Sequence, residues 1–288
     1  MKKLSDFKRN IYSQFGEDGI IEKIFKIISP GKDPWCVEFG AWDGVNFSNT
    51  HNVIRNKKWK GVLIESKGKR YRELLKTYEN NKNVLCLNRF VNFQGENSLD
   101  NILSKTPIPK NFNLLSVDID GNDYYIWESL KKYKPKVVII ELNPTIPHDI
   151  EFIQARNFGV NQGSSLLAFF ELAKRKKYEL VATTDCNAFF VKKELYKLFK
   201  IADNSVSVMH DNKKYITRLY QFYDGTIALD GCKKLIWHGV SFKDKDIQIL
   251  PNFLRKLPDK FNIVFTKAYR RDFEGLSALW KTRFKLNQ

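Results

Sequence analysis

The sequence lacks any apolar run long enough to cross a membrane. Its 288 residues are 43% hydrophobic and 14% aromatic, yet no stretch approaches the roughly 18 apolar residues of a transmembrane helix. Residues 1–6 lead into polar sequence rather than into the apolar core of a signal peptide. We therefore expect no transmembrane segment and a cytoplasmic location. So much apolar sequence also predicts one large domain, or one domain with an appendage, rather than large-scale disorder.

Cysteine is scarce. Cys36, Cys86, Cys186 and Cys232 lie far apart and show no C-x-x-C spacing. The chain therefore offers neither the paired thiols of a zinc site nor the framework of a disulfide-rich secreted domain. Three of the four stand beside apolar, strand-like residues, so we expect buried free thiols in a reducing compartment.

Acidic residues are outnumbered. The chain has 49 lysines and arginines against 32 aspartates and glutamates, a net charge of +17. The basic residues form short clusters along the whole chain, and no single arm or helix holds them. An evenly basic, solvated surface is the favoured explanation, with an anionic substrate or a membrane surface as alternatives. A phosphorylated or nucleotide-linked substrate suits such a field, and no nucleic-acid partner is expected.

Five short runs rich in Val, Ile and Leu predict parallel strands that are buried on both faces. These runs are residues 35–39, 61–65, 84–87, 114–118 and 137–142. Apolar residues at helical spacing predict helices over residues 20–28, 70–78, 124–130 and 164–177. This alternation predicts a doubly wound α/β domain.

The pattern changes after the last of these helices. Residues 178–182 and 188–191 read as two strands whose connection is too short for a parallel crossover, so we expect an antiparallel hairpin. A seven-stranded sheet with an antiparallel last strand resembles that of the class I, Rossmann-like methyltransferases. Nicotinamide-binding Rossmann domains usually stay parallel, so the hairpin separates two cofactor classes.

The pattern is less regular from about residue 200. Residues 206–209, 219–223, 226–229 and 235–238 look like strands, and residues 251–257 and 273–280 look helical. We therefore predict a methyltransferase-like domain over residues 1–199. A C-terminal α+β extension over residues 200–288 is expected to pack on that domain and to shape its substrate site.

A glycine-bounded loop follows the first predicted strand. Its sequence, Gly40-Ala41-Trp42-Asp43-Gly44, is G-x-x-x-G and not the G-x-G-x-x-G of dinucleotide enzymes. Glycine permits positive φ and lets the backbone approach a ligand closely. Glu38 and Asp43 are placed to accept an ammonium group of a small-molecule cofactor. The alternative is an ordinary strand-to-helix turn with glycine caps.

A second acid strengthens the cofactor hypothesis. Glu65 ends the next predicted strand, 25 residues after Gly40, where an open α/β sheet places the carboxylate that accepts ribose hydroxyls. Ser66 follows it, and Asn88 lies beyond the third strand, at the expected adenine edge. An acid favoured by a helix macrodipole is the alternative interpretation of Glu65.

More acids follow the fourth and fifth predicted strands. Asp118, Asp120 and Asp123 follow one, while Glu141 and Asn143 follow the other, with His148 close behind. Since ligands bind beyond the carboxyl ends of such strands, these side chains should meet in one crevice. Together they could act as a general base on a hydroxyl or hold a hard divalent cation. Each acid taken singly could instead cap the helix that follows it.

Several segments resemble, as an ordered set over roughly residues 12–195, the FkbM-type methyltransferases. They are Tyr12-Ser13-Gln14-Phe15-Gly16-Glu17-Asp18, residues 37–44 with Phe47-Ser48-Asn49-Thr50, residues 59–65, Val117-Asp118-Ile119-Asp120-Gly121 and residues 140–144. The resemblance implies methyl transfer from S-adenosylmethionine to an oxygen, often a sugar hydroxyl in surface polysaccharide (capsule or lipopolysaccharide) or natural-product biosynthesis. The predicted cofactor-binding residues are Gln14, Glu38, Gly40, Ala41, Asp43, Gly44, Asn49, Glu65, Ser66 and Asn88.

The resemblance suggests roles for the acids that follow the fourth and fifth predicted strands. Asp120, with Asp118 or His148 nearby, is predicted to take the proton from the acceptor hydroxyl. Cation-dependent O-methyltransferases hold their metal with an acid after the fourth strand and an acid plus Asn or Asp after the fifth. Asp118 or Asp120, together with Glu141 and Asn143, resembles this pattern, so Mg²⁺ or Mn²⁺ bound by Asp120, Glu141 and Asn143 is a hypothesis. His51 is a competing base, although packing along the first crossover helix explains it better.

Two other functions are alternative interpretations of the sequence. An RNA methyltransferase is suggested by the charge and by Tyr124, Tyr125 and Trp127, although a helix would place these aromatics in the core. The chain could also be an inactive carbohydrate-binding module on the same fold, against which the full set of acids argues. We expect a small sugar or nucleotide-sugar substrate, and a homo-oligomer is compatible with the sequence.

Overall fold

The computed structural model describes residues 3–211 and 213–257. The chain divides into two compact units, of which the first ends at Ile216 and the second begins at Thr217. The first unit is thus longer than the domain predicted over residues 1–199. An extension that shapes the substrate site stays a prediction, and the helix predicted over residues 273–280 lies outside the described residues.

Seven strands form the sheet of the first unit. They are β1 (Trp35–Phe39), β2 (Lys60–Glu65), β3 (Val84–Asn88), β4 (Leu114–Val117), β5 (Val137–Glu141), β6 (Tyr178–Thr183) and β7 (Asn187–Lys192). Their order is β3-β2-β1-β4-β5-β7-β6. Strands β1 to β5 are parallel, and β7 is antiparallel to both β5 and β6. The predicted seven-stranded sheet of the class I methyltransferase type is confirmed, with its strand order reversing between β1 and β4.

Helices cover both faces of this sheet. They are α1 (Glu17–Ile28), α2 (His51–Lys57), α3 (Gly68–Tyr78), α4 (Leu99–Ser104), α5 (Asp123–Ser129), α6 (Leu166–Arg175), α7 (Lys193–Tyr196) and α8 (Val206–Met209). One core includes Trp127 and Phe169, and the other includes Ile20 and Leu74. Burial on both faces explains why β1 and β4 are continuous apolar runs rather than alternating ones.

Two aromatic residues that suggested nucleic-acid stacking belong to the core. Tyr124 and Trp127 on α5 are only 3% and 1% exposed, and the indole of Trp127 packs 5.2 Å from the ring of Phe190. Such rings cannot stack on bases without unfolding the helix. They are explained by packing, as their helical spacing indicated.

The strand predicted over residues 206–209 was wrong. Residues 206–209 form α8, in which the amides of Val208 and Met209 donate to the carbonyl of Ser205. Only Val206 of this helix is buried. A four-residue apolar stretch is too short for its periodicity to distinguish a strand from one helical turn.

The second unit contains two small antiparallel ribbons. Strands β8 (Thr217–Gln221) and β9 (Ile227–Gly231) form one, and β10 (Lys234–Leu235) and β11 (Val240–Ser241) form the other. The first ribbon overlaps the strands predicted over residues 219–223 and 226–229. The strand predicted over residues 235–238 is wrong beyond Leu235, because Ile236–His238 form a 3₁₀ helix. Short 3₁₀ helices follow at Ile236–His238, Asp244–Ile247 and Asn252–Leu254.

Two composition-based expectations can be compared with the structure. The four cysteines are free; Cys36 and Cys186 are buried, while Cys86 and Cys232 are half-buried. Burial raises the pKa of Cys86 to about 11, which keeps this thiol protonated and unreactive. Within the described part of the chain, no helix has the length and apolarity that crossing a membrane requires.

Candidate active site

The loop after β1 lies directly against the end of β4. Gly40 has a φ of 76°, and a Cβ atom at this position would lie 1.8 Å from the carbonyl oxygen of Asp118. Gly44 also has a φ of 76°, and its Cβ would lie 2.6 Å from Leu74 and Tyr78 on α3. Glycine is therefore required at both ends of the loop. The loop lies between the ends of β1 and β4, where the strand order reverses.

Glu65 fastens the glycine loop to the end of β2. Its side chain is 3% exposed. One carboxylate oxygen accepts a hydrogen bond from the amide of Trp42 at 3.0 Å, and the other accepts from the amide of Lys67 at 2.7 Å. The Asn88 amide donates to the carbonyls of Glu65 and Ser66. The structure thus brings the predicted loop, Glu65, Ser66 and Asn88 together.

Glu38 organises the segment that leads into α2. Its carboxylate accepts hydrogen bonds from the hydroxyls of Ser48 and Thr50 at 2.6 and 2.7 Å, and from the amide of Asn49 at 2.8 Å. The Asn49 side chain in turn donates to the Ser116 hydroxyl at 3.0 Å. Burial raises the pKa of Glu38, while these three donors oppose the rise. A cofactor contact for Glu38 stays a prediction, because its oxygens already accept from the chain itself.

Asp43 stabilises the far end of the glycine loop. Its carboxylate accepts from the amides of Val45 and Asn46, both at 2.9 Å. The neighbouring Trp42 has a φ of 48°, unusual for a bulky residue, and its ring lies beneath the guanidinium of Arg70 at 4.6 Å. This carboxylate therefore shapes the loop in which it lies.

The segment containing Gln14 wraps the start of α1. One carboxylate oxygen of the fully buried Asp18 accepts from the amides of Ile11, Tyr12 and Ser13, each at 2.8 Å. The Gln14 side chain is exposed, and the Gln14 carbonyl accepts from Asn10. Asp18 thus holds this segment in one conformation, a role that the sequence did not reveal.

His51 has a structural environment. Its Nδ1 atom lies 2.6 Å from the Tyr78 hydroxyl, which donates to the carbonyl of Gly44 at 3.0 Å. The ring packs edge-on against Tyr12 at 4.4 Å. Burial lowers the pKa of His51, so it stays neutral. These contacts favour the packing interpretation over a catalytic base.

Three acids converge after β4 and β5. Carboxylate oxygens of Asp118, Asp120 and Glu141 lie within 4.8 Å of one another; we call these residues the acid cluster. Asp120 is exposed and has a left-handed φ of 59°. The buried Asp123 holds this turn, because its carboxylate accepts from the amides of Ile119 and Gly121 at 3.0 and 2.9 Å. Asp123 therefore positions the turn and is not a member of the cluster.

Burial and mutual repulsion favour the protonated forms of Asp118 and Glu141 in the acid cluster. Burial, followed by the charges of Asp123 and Asp120, raises the pKa of Asp118 to about 7. Burial and the charge of Asp118 raise the pKa of Glu141 well above its usual range. Three carboxylates this close therefore favour a bound proton or a cation over full ionisation.

Asn143, the third predicted metal ligand, makes hydrogen bonds within the chain, and its role as a ligand stays a prediction. Its amide nitrogen donates to the Gln162 carbonyl at 2.6 Å, and its oxygen accepts from the amide and hydroxyl of Thr145 at 2.9 and 2.6 Å. Asp118 is the third acid of the cluster, beside Asp120 and Glu141. Three carboxylate oxygens suit Mg²⁺ or Mn²⁺, which are hard cations that prefer oxygen ligands. His148 is half-buried, and no hydrogen bond joins it to the cluster among residues 3–211 and 213–257.

Gln154 is an organising residue that sequence reasoning missed. It is fully buried. Its amide donates to the Val160 carbonyl at 2.9 Å, and its oxygen accepts from the amides of Gln162 and Gly163 at 3.0 and 2.9 Å. Gln154 lies in a loop, where the sequence has no periodic pattern, so no sequence signal indicated this role. Gln154 fixes the loop of residues 152–163 beside the acid cluster.

Two cavities lie elsewhere in the first unit. One, of about 200 Å³, is lined by residues that include Lys8, Thr184 and His210. The other is a groove of about 910 Å³ whose lining includes Lys26 and Trp59. Neither contains a predicted site residue. The candidate site is defined by polar side chains that converge at strand ends.

Comparisons with known proteins concern the fold. No family model and no curated protein matches the chain. Among solved structures, it is similar to the CurJ carbon methyltransferase, with 7% identity over 63% of this chain and 56% of that chain and a TM-score of 0.42. It is also similar to a SAM-dependent methyltransferase from Aquifex aeolicus, with 13% identity over 59% of this chain and 87% of that chain and a TM-score of 0.36. For M. capricolum TrmK in complex with S-adenosyl-homocysteine, the identity is 12% over 59% of this chain and 65% of that chain, and the TM-score is 0.34. The chain thus spans little more than half the length of the CurJ structure, and these likenesses identify no activity, substrate or cofactor for it.

Proposed function

We propose that the chain is an S-adenosylmethionine-dependent O-methyltransferase. The observation that carries the proposal is the meeting of the glycine loop, the buried Glu65 and the acid cluster at the carboxyl ends of β1, β2, β4 and β5. Open α/β sheets bind ligands at this edge, where the strand order reverses. The acceptor we propose is a hydroxyl of a sugar or nucleotide-activated sugar, because the sequence resembles the FkbM-type enzymes of polysaccharide and natural-product biosynthesis.

The reaction asks little covalent chemistry of the protein. S-adenosylmethionine, when bound, supplies a methyl group on a sulfonium. Transfer of this methyl group requires a hydroxyl that is aligned with it and that loses its proton. Asp120 is the exposed acid of the cluster and is held in place by the Asp123 turn. We assign the proton to Asp120.

Calorimetry tests the cofactor assignment. We expect S-adenosylmethionine and S-adenosylhomocysteine to bind the full chain in the micromolar range, and Glu65→Gln to weaken both by about tenfold, the value of a lost charge-assisted hydrogen bond. Glu128→Gln on α5 is a matched control. Heat-free mixing at millimolar ligand would contradict the proposal if equilibrium dialysis also detected no binding. Mass spectrometry of sugar and nucleotide-sugar acceptors would then identify a product with one added methyl group.

Removal of divalent cations is expected to abolish methyl transfer. Asp118, Asp120 and Glu141 would hold the ion, which lowers the pKa of a hydroxyl bound to it. Treatment with EDTA should stop turnover, and Mg²⁺ or Mn²⁺ should restore it. Mg²⁺ should also raise the thermal midpoint of the apo chain, because it relieves repulsion within the cluster.

Two variants separate the possible ligand sets. Glu141→Gln should lose the Mg²⁺ stabilisation, while Asn143→Ala should keep it if the amide serves only Gln162 and Thr145. Loss of the response in Asn143→Ala, with folding intact, would instead support the set predicted from the sequence. An unchanged rate in EDTA together with no Mg²⁺ effect on stability would remove the metal from the proposal.

A further inference from the structure

An aromatic surface with an arginine lies beyond the ends of β3 and β4. The rings of Phe93 and Phe158 stack in parallel at 5.0 Å, and Phe90 meets Phe158 edge-on at 4.7 Å. The Arg156 guanidinium lies 4.3 Å from the centre of the Phe93 ring and 5.4 Å from that of Tyr125. We call these five residues the aromatic–arginine cluster. None of them belongs to the cofactor and acid groups described above.

The fold places this cluster beside the acid cluster. Phe158 and Arg156 belong to the loop that Gln154 fixes. The same loop contacts the turn containing Asp120, because a Cβ on Gly121 would lie 2.9 Å from the Val160 carbonyl. The Tyr125 hydroxyl donates to the Gln154 carbonyl at 2.8 Å. The side-chain amide of Asn122 donates to the Asn157 carbonyl in the same loop at 3.0 Å. The cluster is thus held rigidly against the residues that we assign to proton transfer.

Tyr125 packs against the core, but core packing does not account for the exposed members of the cluster. Phe90 is 47% exposed, and Arg156 is also exposed. Within the described ranges, 3–211 and 213–257, no carboxylate lies within salt-bridge distance of Arg156. An exposed apolar surface that is rigidly built commonly marks a binding site. An arginine without a carboxylate partner beside it offers a charge-assisted site for a phosphate.

We propose that the aromatic–arginine cluster binds the acceptor, and that this acceptor is a sugar bearing a phosphate. The apolar face of a sugar ring would pack on Phe90, while the phosphate would pair with Arg156. The basic surface of the chain favours such an anion at long range. This inference rests on the proposed function, since it assigns the cluster to the acceptor of the methyl group.

Binding of four probes to the full chain, loaded with S-adenosylhomocysteine, tests the proposal without requiring turnover. The probes are UDP-glucose, GDP-mannose, glucose 1-phosphate and glucose, measured by calorimetry and ligand-observed NMR. At least one phosphorylated probe should bind with a Kd below about 1 mM and at least tenfold more tightly than glucose. Binding of glucose 1-phosphate shows that the sugar phosphate suffices, whereas binding of the nucleotide sugars alone shows that the nucleotide is also recognised.

Arg156→Ala should weaken the phosphorylated probe at least tenfold, and Phe90→Ala about three- to thirtyfold, because each removes a contact from an exposed position. Arg55→Ala, on the exposed side of α2, is the matched control for charge, and Leu198→Ala, which is 46% exposed, is the control for exposed apolar area. Both controls should bind the probe as the unmodified chain does.

The affinity for S-adenosylmethionine separates this inference from other outcomes. Arg156→Ala and Phe90→Ala should change it by less than about twofold. A parallel loss of cofactor affinity would assign the cluster to the adenosine and overturn the inference, as would the absence of Arg156-dependent binding of every phosphorylated probe. If the chain bound no S-adenosylmethionine but bound a sugar phosphate through Arg156, the methyltransferase proposal would fail while the phosphosugar site stood.

Discussion

Asp120→Asn is expected to lower kcat by about 10²- to 10⁴-fold, the contribution of a positioned general base. The substitution keeps the size of the side chain but removes the group that accepts the proton. Because the Asp120 side chain is exposed, the free energy of unfolding should change by less than about 0.5 kcal/mol. Single-turnover kinetics with a saturating acceptor, combined with urea denaturation, measure both quantities.

The neighbouring Asp123 provides the contrast. Its two oxygens hold the amides of Ile119 and Gly121, so Asp123→Asn should cost about 1–3 kcal/mol of stability as well as turnover. Asp33→Asn, on an exposed aspartate that pairs with Lys60 at 2.9 Å, should affect neither strongly. If Asp120→Asn weakened S-adenosylmethionine binding instead of slowing the chemical step, Asp120 would belong to the cofactor pocket.

The sheet could be predicted because its strands are buried on both faces. Such strands are uninterrupted apolar runs between polar turns, and the prediction for β1 agrees with the structure at both ends. The hairpin of β6 and β7 followed from a connection too short to cross the sheet. The prediction of a strand over residues 206–209 was wrong because a single helical turn with one buried valine is too short to show the periodicity of a helix.

The site could be predicted only as far as strand ends determine it. Glu65, Asp118 and Glu141 come together because parallel strands end at one edge of the sheet. The orientation of Asn143 could not be predicted, since it depends on a hydrogen bond to Gln162, 19 residues along the chain. Loop pairings of this kind leave no periodic pattern. The same holds for Gln154 and for the three donors around Glu38.

Gly40→Ala is expected to be the most disruptive single change in the glycine loop. The new methyl group would lie 1.8 Å from the Asp118 carbonyl oxygen, and this backbone oxygen, directly after β4, cannot move aside without separating the loop from the end of the strand. The alanine would also have to adopt a φ of 76°. Overpacking and the left-handed backbone together should cost about 3–5 kcal/mol in the free energy of unfolding. Urea denaturation measures this loss.

Gly31→Ala separates the two contributions. Gly31 has a φ of 83°, close to that of Gly40, but no atom lies within 4 Å of the position its Cβ would take. It should therefore show only the conformational cost, about 1–2 kcal/mol, and should bind S-adenosylmethionine normally. The difference between the variants then measures the contact between loop and β4. Any Gly40→Ala protein that folds should bind the cofactor at least tenfold more weakly, because the displaced loop carries Trp42 away from Glu65. Equal losses in both variants would show that close packing against Asp118 does not stabilise the loop.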